Sequence, residues 1–156
     1  MGFKKENIKI ITDRKATQAE IEKLLGNDGW LARNSIKNKS DVVVYFSGHG
    51  VANVSTSAAH ILPHDVDPNY SSGVQLKNLY KNLASLEAKS LTVYLDACFT
   101  GQTRDEKLLI DKARPVVVRE SEFQADEKIT VISASSGSQI SSAMQDSSHG
   151  ILLTIY

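Results

Sequence analysis

A chain of 156 residues is the size of one domain, able to bury roughly 70% of the surface its unfolded form exposes. Its 18 basic residues are balanced by 18 acidic ones, so charge supplies no attraction for nucleic acid or an anionic membrane. The apolar runs are strand-length and too short to cross a bilayer, no basic-then-apolar leader is seen, and the lone cysteine, Cys98, suits a reducing compartment; a cytoplasmic protein is the expectation.

Residues 8–12, with Ile8, Ile10 and Ile11, read as a short strand. Thr17 and Glu20 have the spacing of a capping box, so a helix is expected to run from there through Ile21, Leu24 and Leu25. Gly26, Asn27, Asp28 and Gly29 interrupt it, and Trp30, Leu31 and Ala32 resume a helical turn. Residues 41–46, valines closed by Tyr45 and Phe46, suit a strand buried on both faces. A loop of small residues is expected over 50–59, a brief pairing at His60, Ile61 and Leu62, and a turn over 63–68. Val74, Leu76, Leu79, Tyr80 and Leu83 recur at helical spacing. Further strands are expected at 91–95, 129–133 and 151–156, and the charged stretch 102–128 reads as an exposed linker within the domain. Strands alternating with helices predict an α/β fold, with a mostly parallel sheet flanked by helices.

Ligands of such sheets sit beyond the carboxyl ends of the strands. His49 and Cys98 each follow a strand by two or three residues, 49 positions apart, so both are expected at one crevice. A free thiol has a pKa of about 8.5 and is mostly protonated at neutral pH. An adjacent imidazole can take its proton during attack and return it to a leaving amine. That pairing points to a peptidase with His49 as base and Cys98 as nucleophile. Gly48 and Gly50 flank the histidine, and glycine lets backbone approach a substrate closely. The amides of Gly50 and Cys98 are therefore candidate oxyanion donors. Asp96 stands two positions before the cysteine, on the same side of an extended chain. A carboxylate there disfavours a thiolate, so it is a poor activator but a good partner for a cationic side chain. Cleavage after Arg or Lys is the expected preference.

At these residues the sequence resembles the caspase-like cysteine peptidases, and among them the metacaspases and their bacterial relatives. Residues 45–50, ending Ser47-Gly48-His49-Gly50, are similar to the family's histidine motif, and residues 95–101, with Asp96-Ala97-Cys98, to its cysteine motif. Residues 148–156 are similar to its last core strand. The resemblance implies a caspase-like three-layer sandwich over residues 1–156, His49 and Cys98 as catalytic dyad, Gly50 as oxyanion donor, and Asp96 with Ser47 as the pocket for Arg or Lys. True caspases carry Gln where this chain has Asp96. The chemistry needs no cofactor, and no metal joins the catalytic residues. The resemblance implies Ca2+ as an activator held by acidic loops, with Asp65 and Asp105 at matching positions in an incomplete cluster. It also implies self-processing in the linker, after residues such as Arg104 or Lys112.

The family's domain opens with an apolar strand and a helix ahead of the strand expected at 8–12, and this chain starts directly before that strand. An N-terminally incomplete domain is therefore expected. Either the chain is a fragment or mis-started product, or the missing strand comes from a second copy or a separate polypeptide, because an unpaired strand edge is adhesive. The expected partners are peptide or protein substrates with Arg or Lys at the cleaved bond, not nucleic acid or membrane. The alternative function is a catalytically incompetent caspase-like interaction or regulatory module. A thiol redox sensor fits less well, since no resolving cysteine exists. His60 and His64 are expected as surface histidines and His149 in a turn.

Overall fold

Backbone polar groups need partners, and two strand-forming stretches of the chain find them in each other. In the computed structural model, which describes residues 3–53, 56–69, 73–97, 99 and 127–133, strand β1 (Asp41–Ser47) lies parallel to strand β5 (Ser90–Asp96). Their register runs from Asp41 opposite Ser90 to Ser47 opposite Asp96. Strand β6 (Ile129–Ser133) lies parallel on the far side of β5, so the order is β1-β5-β6. A second, antiparallel sheet holds β2 (His49–Ala52), β3 (Ala59–Leu62) and β4 (Val74–Gln75), with β3 in the middle. The architecture is α/β, with a mostly parallel sheet flanked by helices.

Helix α1 (Gln18–Leu25) starts as its sequence dictates: the Thr17 hydroxyl accepts from the Glu20 amide at 3.2 Å. A second acceptor arrives from a distant turn, where Asp65 Oδ1 takes the Gln18 amide at 2.8 Å. The His64 amide donates to Ala16 O at 2.9 Å, binding the same turn to the segment before the helix. The chain then turns at Gly29, where a Cβ would lie 2.7 Å from Leu24 O, and helix α2 (Trp30–Asn34) follows. Helix α3 (Leu76–Ala84) buries Leu76, Leu79, Tyr80 and Leu83. These meet Val42, Leu91, Val93, Leu95 and Ile129 from one face of the parallel sheet, together with Ala59, Ile61 and Phe99. Each fully buried aliphatic or aromatic side chain contributes about 1.5–3 kcal/mol. The Tyr80 hydroxyl is buried without a hydrogen-bond partner among the described residues, and burial pushes its pKa above the usual phenol value.

Several expectations are corrected. Residues 8–12 form no strand; Ile10 is 80% exposed and Lys9 Nζ lies 5.1 Å from the centre of the Trp30 ring. Strand β1 is buried on one face only, because Val43 and Tyr45 on the other are 50% and 60% exposed. Residues 50–52 belong to β2 rather than to a loop, and Val74 belongs to β4, so α3 begins at Leu76. His60 is buried, its Nδ1 3.0 Å from Ala58 O, whereas His64 is exposed. The strand expected at 151–156, His149, and the linker up to residue 126 lie outside the described residues.

Candidate active site

The carboxyl ends of β1 and β5 coincide because their last paired residues are Ser47 and Asp96. The Gly48 amide donates to Asp96 O at 3.1 Å, extending the ladder by one step. Ser47 Oγ donates to Asp96 Oδ2, also at 3.1 Å. Asp96 is wholly buried, and a buried carboxylate is tolerated only where groups around it satisfy its oxygens. Ser47 is itself exposed, so the pair runs from the protein surface to a buried carboxyl group.

One residue separates this pair from the histidine. A Cβ at Gly48 would stand 2.9 Å from the tip of the Phe46 ring, which would have to shift to admit it. The half-buried ring packs against the core, so the turn out of β1 is tied to the hydrophobic interior. His49 then opens β2 opposite Leu62 and is exposed, while Gly50 pairs with Ile61 and is buried. His49 thus stands where the chain passes from the parallel sheet to the antiparallel one.

The structure therefore brings Ser47 and Asp96 into direct contact and starts His49 two residues after Ser47. Cys98 lies outside the described residues, as does Asp105. Its neighbours Ala97 and Phe99 are described, and both are buried in the core. Asp65, matched by resemblance to an acidic calcium loop, gives one carboxylate oxygen to the amino end of α1. Among the described residues no group of three or more His, Cys, Asp or Glu side chains is arranged to hold a metal ion. No described helix is long and apolar enough to cross a membrane.

Sequence reasoning missed that His49 begins a strand. The signal was faint, since Gly50, Val51 and Ala52 are small and lack the alternation of a half-buried strand. It also missed the hydroxyl contact to Asp96 as a geometric fact, although the paired ends of two similar strands made it legible.

A family model described as a caspase domain matches residues 1–154. No curated protein and no solved structure matches the chain.

Proposed function

Because the chain belongs to the caspase-domain family of cysteine peptidases, we propose that it is an endopeptidase that cleaves after Arg or Lys. The observation that supports the specificity is the buried Asp96 carboxylate, hydrogen-bonded to the hydroxyl of the exposed Ser47. An Arg or Lys side chain entering beside Ser47 meets a negative charge in a low-dielectric setting, where charge attraction is far stronger than in water.

The chemistry then follows from the residues at the strand ends. Cys98 Sγ attacks the carbonyl carbon of the scissile bond while its proton passes to the His49 imidazole. The amides of Gly50 and Cys98 donate to the oxyanion of the tetrahedral intermediate; loss of one such donor typically costs about 3 kcal/mol. Collapse expels the amine, which takes the proton from His49 and leaves a thioester on Cys98. Water, deprotonated by His49, attacks that thioester, and the carboxyl product departs with the thiol restored. Asp96 takes no part in proton transfer and acts as the specificity group.

The test is a panel of fluorogenic peptides with Arg, Lys, Asp or Leu before the cleaved bond. Hydrolysis confined to Arg and Lys substrates, and abolished by Cys98→Ala and by His49→Ala, is expected. Turnover that survives Cys98→Ala, or that favours Asp substrates, refutes the proposal. A chain inert to every peptide and to an arginyl activated-ketone probe would instead be a non-catalytic module.

A further inference from the structure

His49 belongs to the last pair of a hairpin ladder, the place where such a ladder opens most easily. It stands opposite Leu62, whereas the other end of β2 and β3 is closed by the short connection from Ala52 to Ala59. The strand that carries the histidine is fastened just before it, where the Gly48 amide donates to Asp96 O at 3.1 Å. The strand that faces it is fastened just after Leu62.

Pro63 is buried, and the Val66 amide donates to Pro63 O at 3.2 Å, so the chain turns tightly as it leaves β3. Within that turn the His64 amide donates to Ala16 O at 2.9 Å, and Asp65 Oδ1 accepts from the Gln18 amide at 2.8 Å. Both bonds land on the entrance to α1, although Asp65 and Gln18 are 47 positions apart. Helix α1 is itself seated, with Ile21 buried and Leu25 packed against the core. The Gln18 amide is one of the N–H groups that a helix leaves without an internal partner at its amino end. Thr17 serves a different one, the Glu20 amide. Asp65 therefore completes the cap of α1, with a charge that suits the positive end of a helix. In return, the end of β3 gains an anchor that reaches the core through α1.

We infer that Asp65 is a positioning residue for His49: by capping α1 it keeps the final pair of β2 and β3 closed, and the imidazole where it can work. Asp65 is exposed and lies three residues beyond the partner of the histidine, so it acts through Leu62 and takes no part in the chemistry. The role of His49 as base is taken from the peptidase reading, whereas the fastening stands without it.

Hydrogen exchange of the full chain reads the fastening without any turnover. In Asp65→Ala the amides of residues 49–50 and 61–62 are expected to exchange about fivefold faster, the usual consequence of a lost cap. Those near Ala52 and Ala59 should keep their rates. Asp65→Asn is expected to behave as wild type, because an amide oxygen caps as well as a carboxylate. Thr17→Ala is the control: it removes a cap of similar worth from α1 but leaves the bond between Asp65 and Gln18 in place. Residues 49–50 and 61–62 should not respond to it. With an Arg peptide, Asp65→Ala is expected to lower kcat by up to about fivefold as the competent fraction falls, with KM unchanged.

Unaltered exchange in Asp65→Ala overturns the inference. So does an Asn variant as impaired as the Ala variant, which would make charge rather than the hydrogen bond the requirement. Equal loosening in Thr17→Ala would reduce Asp65 to a stabiliser of α1, and faster exchange with kcat unchanged would detach it from His49; either result overturns the assignment. Faster exchange in a chain that cleaves no peptide upholds the fastening and counts against the peptidase reading alone.

Discussion

The two ends of the β1–β5 ladder carry the same pair of residues in exchanged roles. At the amino end Ser90 Oγ donates to Asp41 Oδ1 at 2.6 Å, and at the carboxyl end Ser47 Oγ donates to Asp96 Oδ2 at 3.1 Å. Asp41 is exposed, with Lys89 Nζ 3.5 Å from its other oxygen. The Ser90 hydroxyl first, and the Lys89 charge after it, hold the Asp41 carboxyl below its ordinary pKa of 3.8. Asp96 is wholly buried. The shorter hydrogen bond therefore belongs to the end with no assigned function. Burial makes the difference: a charge in water is screened, whereas one inside the protein acts strongly on whatever enters beside it.

The contrast can be broken most severely at its buried end. Asp96→Ala is expected to lower kcat/KM for Arg and Lys substrates by roughly a hundredfold or more, the usual effect of removing one partner of a buried charge pair. Asp41→Ala is expected to leave it unchanged, and equal losses in the two variants would show that the buried end has no special role. Shortening a residue between the ends sharpens the comparison. Val93 is fully buried, so Val93→Ala is expected to cost about 2 kcal/mol of stability in urea unfolding, with the Arg-to-Leu selectivity ratio preserved.

A smaller effect separates the hydroxyls. Ser47→Ala is expected to raise KM several-fold, equivalent to about 1 kcal/mol, whereas Ser90→Ala leaves KM unchanged. Tyr80→Phe calibrates both, because its buried hydroxyl has no partner among the described residues; its removal is expected to leave stability unchanged or slightly raised. The smallest effect is one of pH. A carboxyl whose folded pKa is depressed contributes stability above its unfolded pKa and loses it as pH falls through the folded value. The stability gap between wild type and Ser90→Ala is thus expected at neutral pH and should close in acid below the Asp41 reference value of 3.8. A gap that persists there would mean that Ser90 acts through something other than the charged carboxylate.

The parts of the fold legible in the sequence were those governed by local rules. The Thr17 cap, the helical spacing of Leu76 to Leu83, and the β-branched runs of β1 and β5 each describe their own element. What was not legible depends on neighbours. Residues 8–12 have a strand's composition but form none, since a strand exists only where another backbone meets its hydrogen bonds. Val44 and Val93 are register partners, as are Tyr45 and Tyr94, so identical residue types lie side by side. Yet Tyr45 is exposed and Tyr94 half-buried, Val44 half-buried and Val93 fully buried, because among the described strands β5 is central and β1 is not. Composition cannot distinguish a middle strand from an edge. For the site, the shared position of the two strand ends was readable from spacing, whereas the direct contact of the Ser47 hydroxyl with Asp96 depends on the register between the strands.

The order in which these pieces can assemble follows from their separations along the chain. The antiparallel pairing that begins at His49 joins Ala52 to Ala59 through a short connection, so little chain entropy opposes it. The parallel pairing of β1 with β5 joins residues 49 positions apart, and such distant contacts form slowly. His49 is therefore set in its hairpin early, while Asp96 reaches Ser47 only when the long excursion between the strands closes. On a growing chain the hairpin segment is made before Asp96, and the contact proposed to read Arg or Lys is among the last to form.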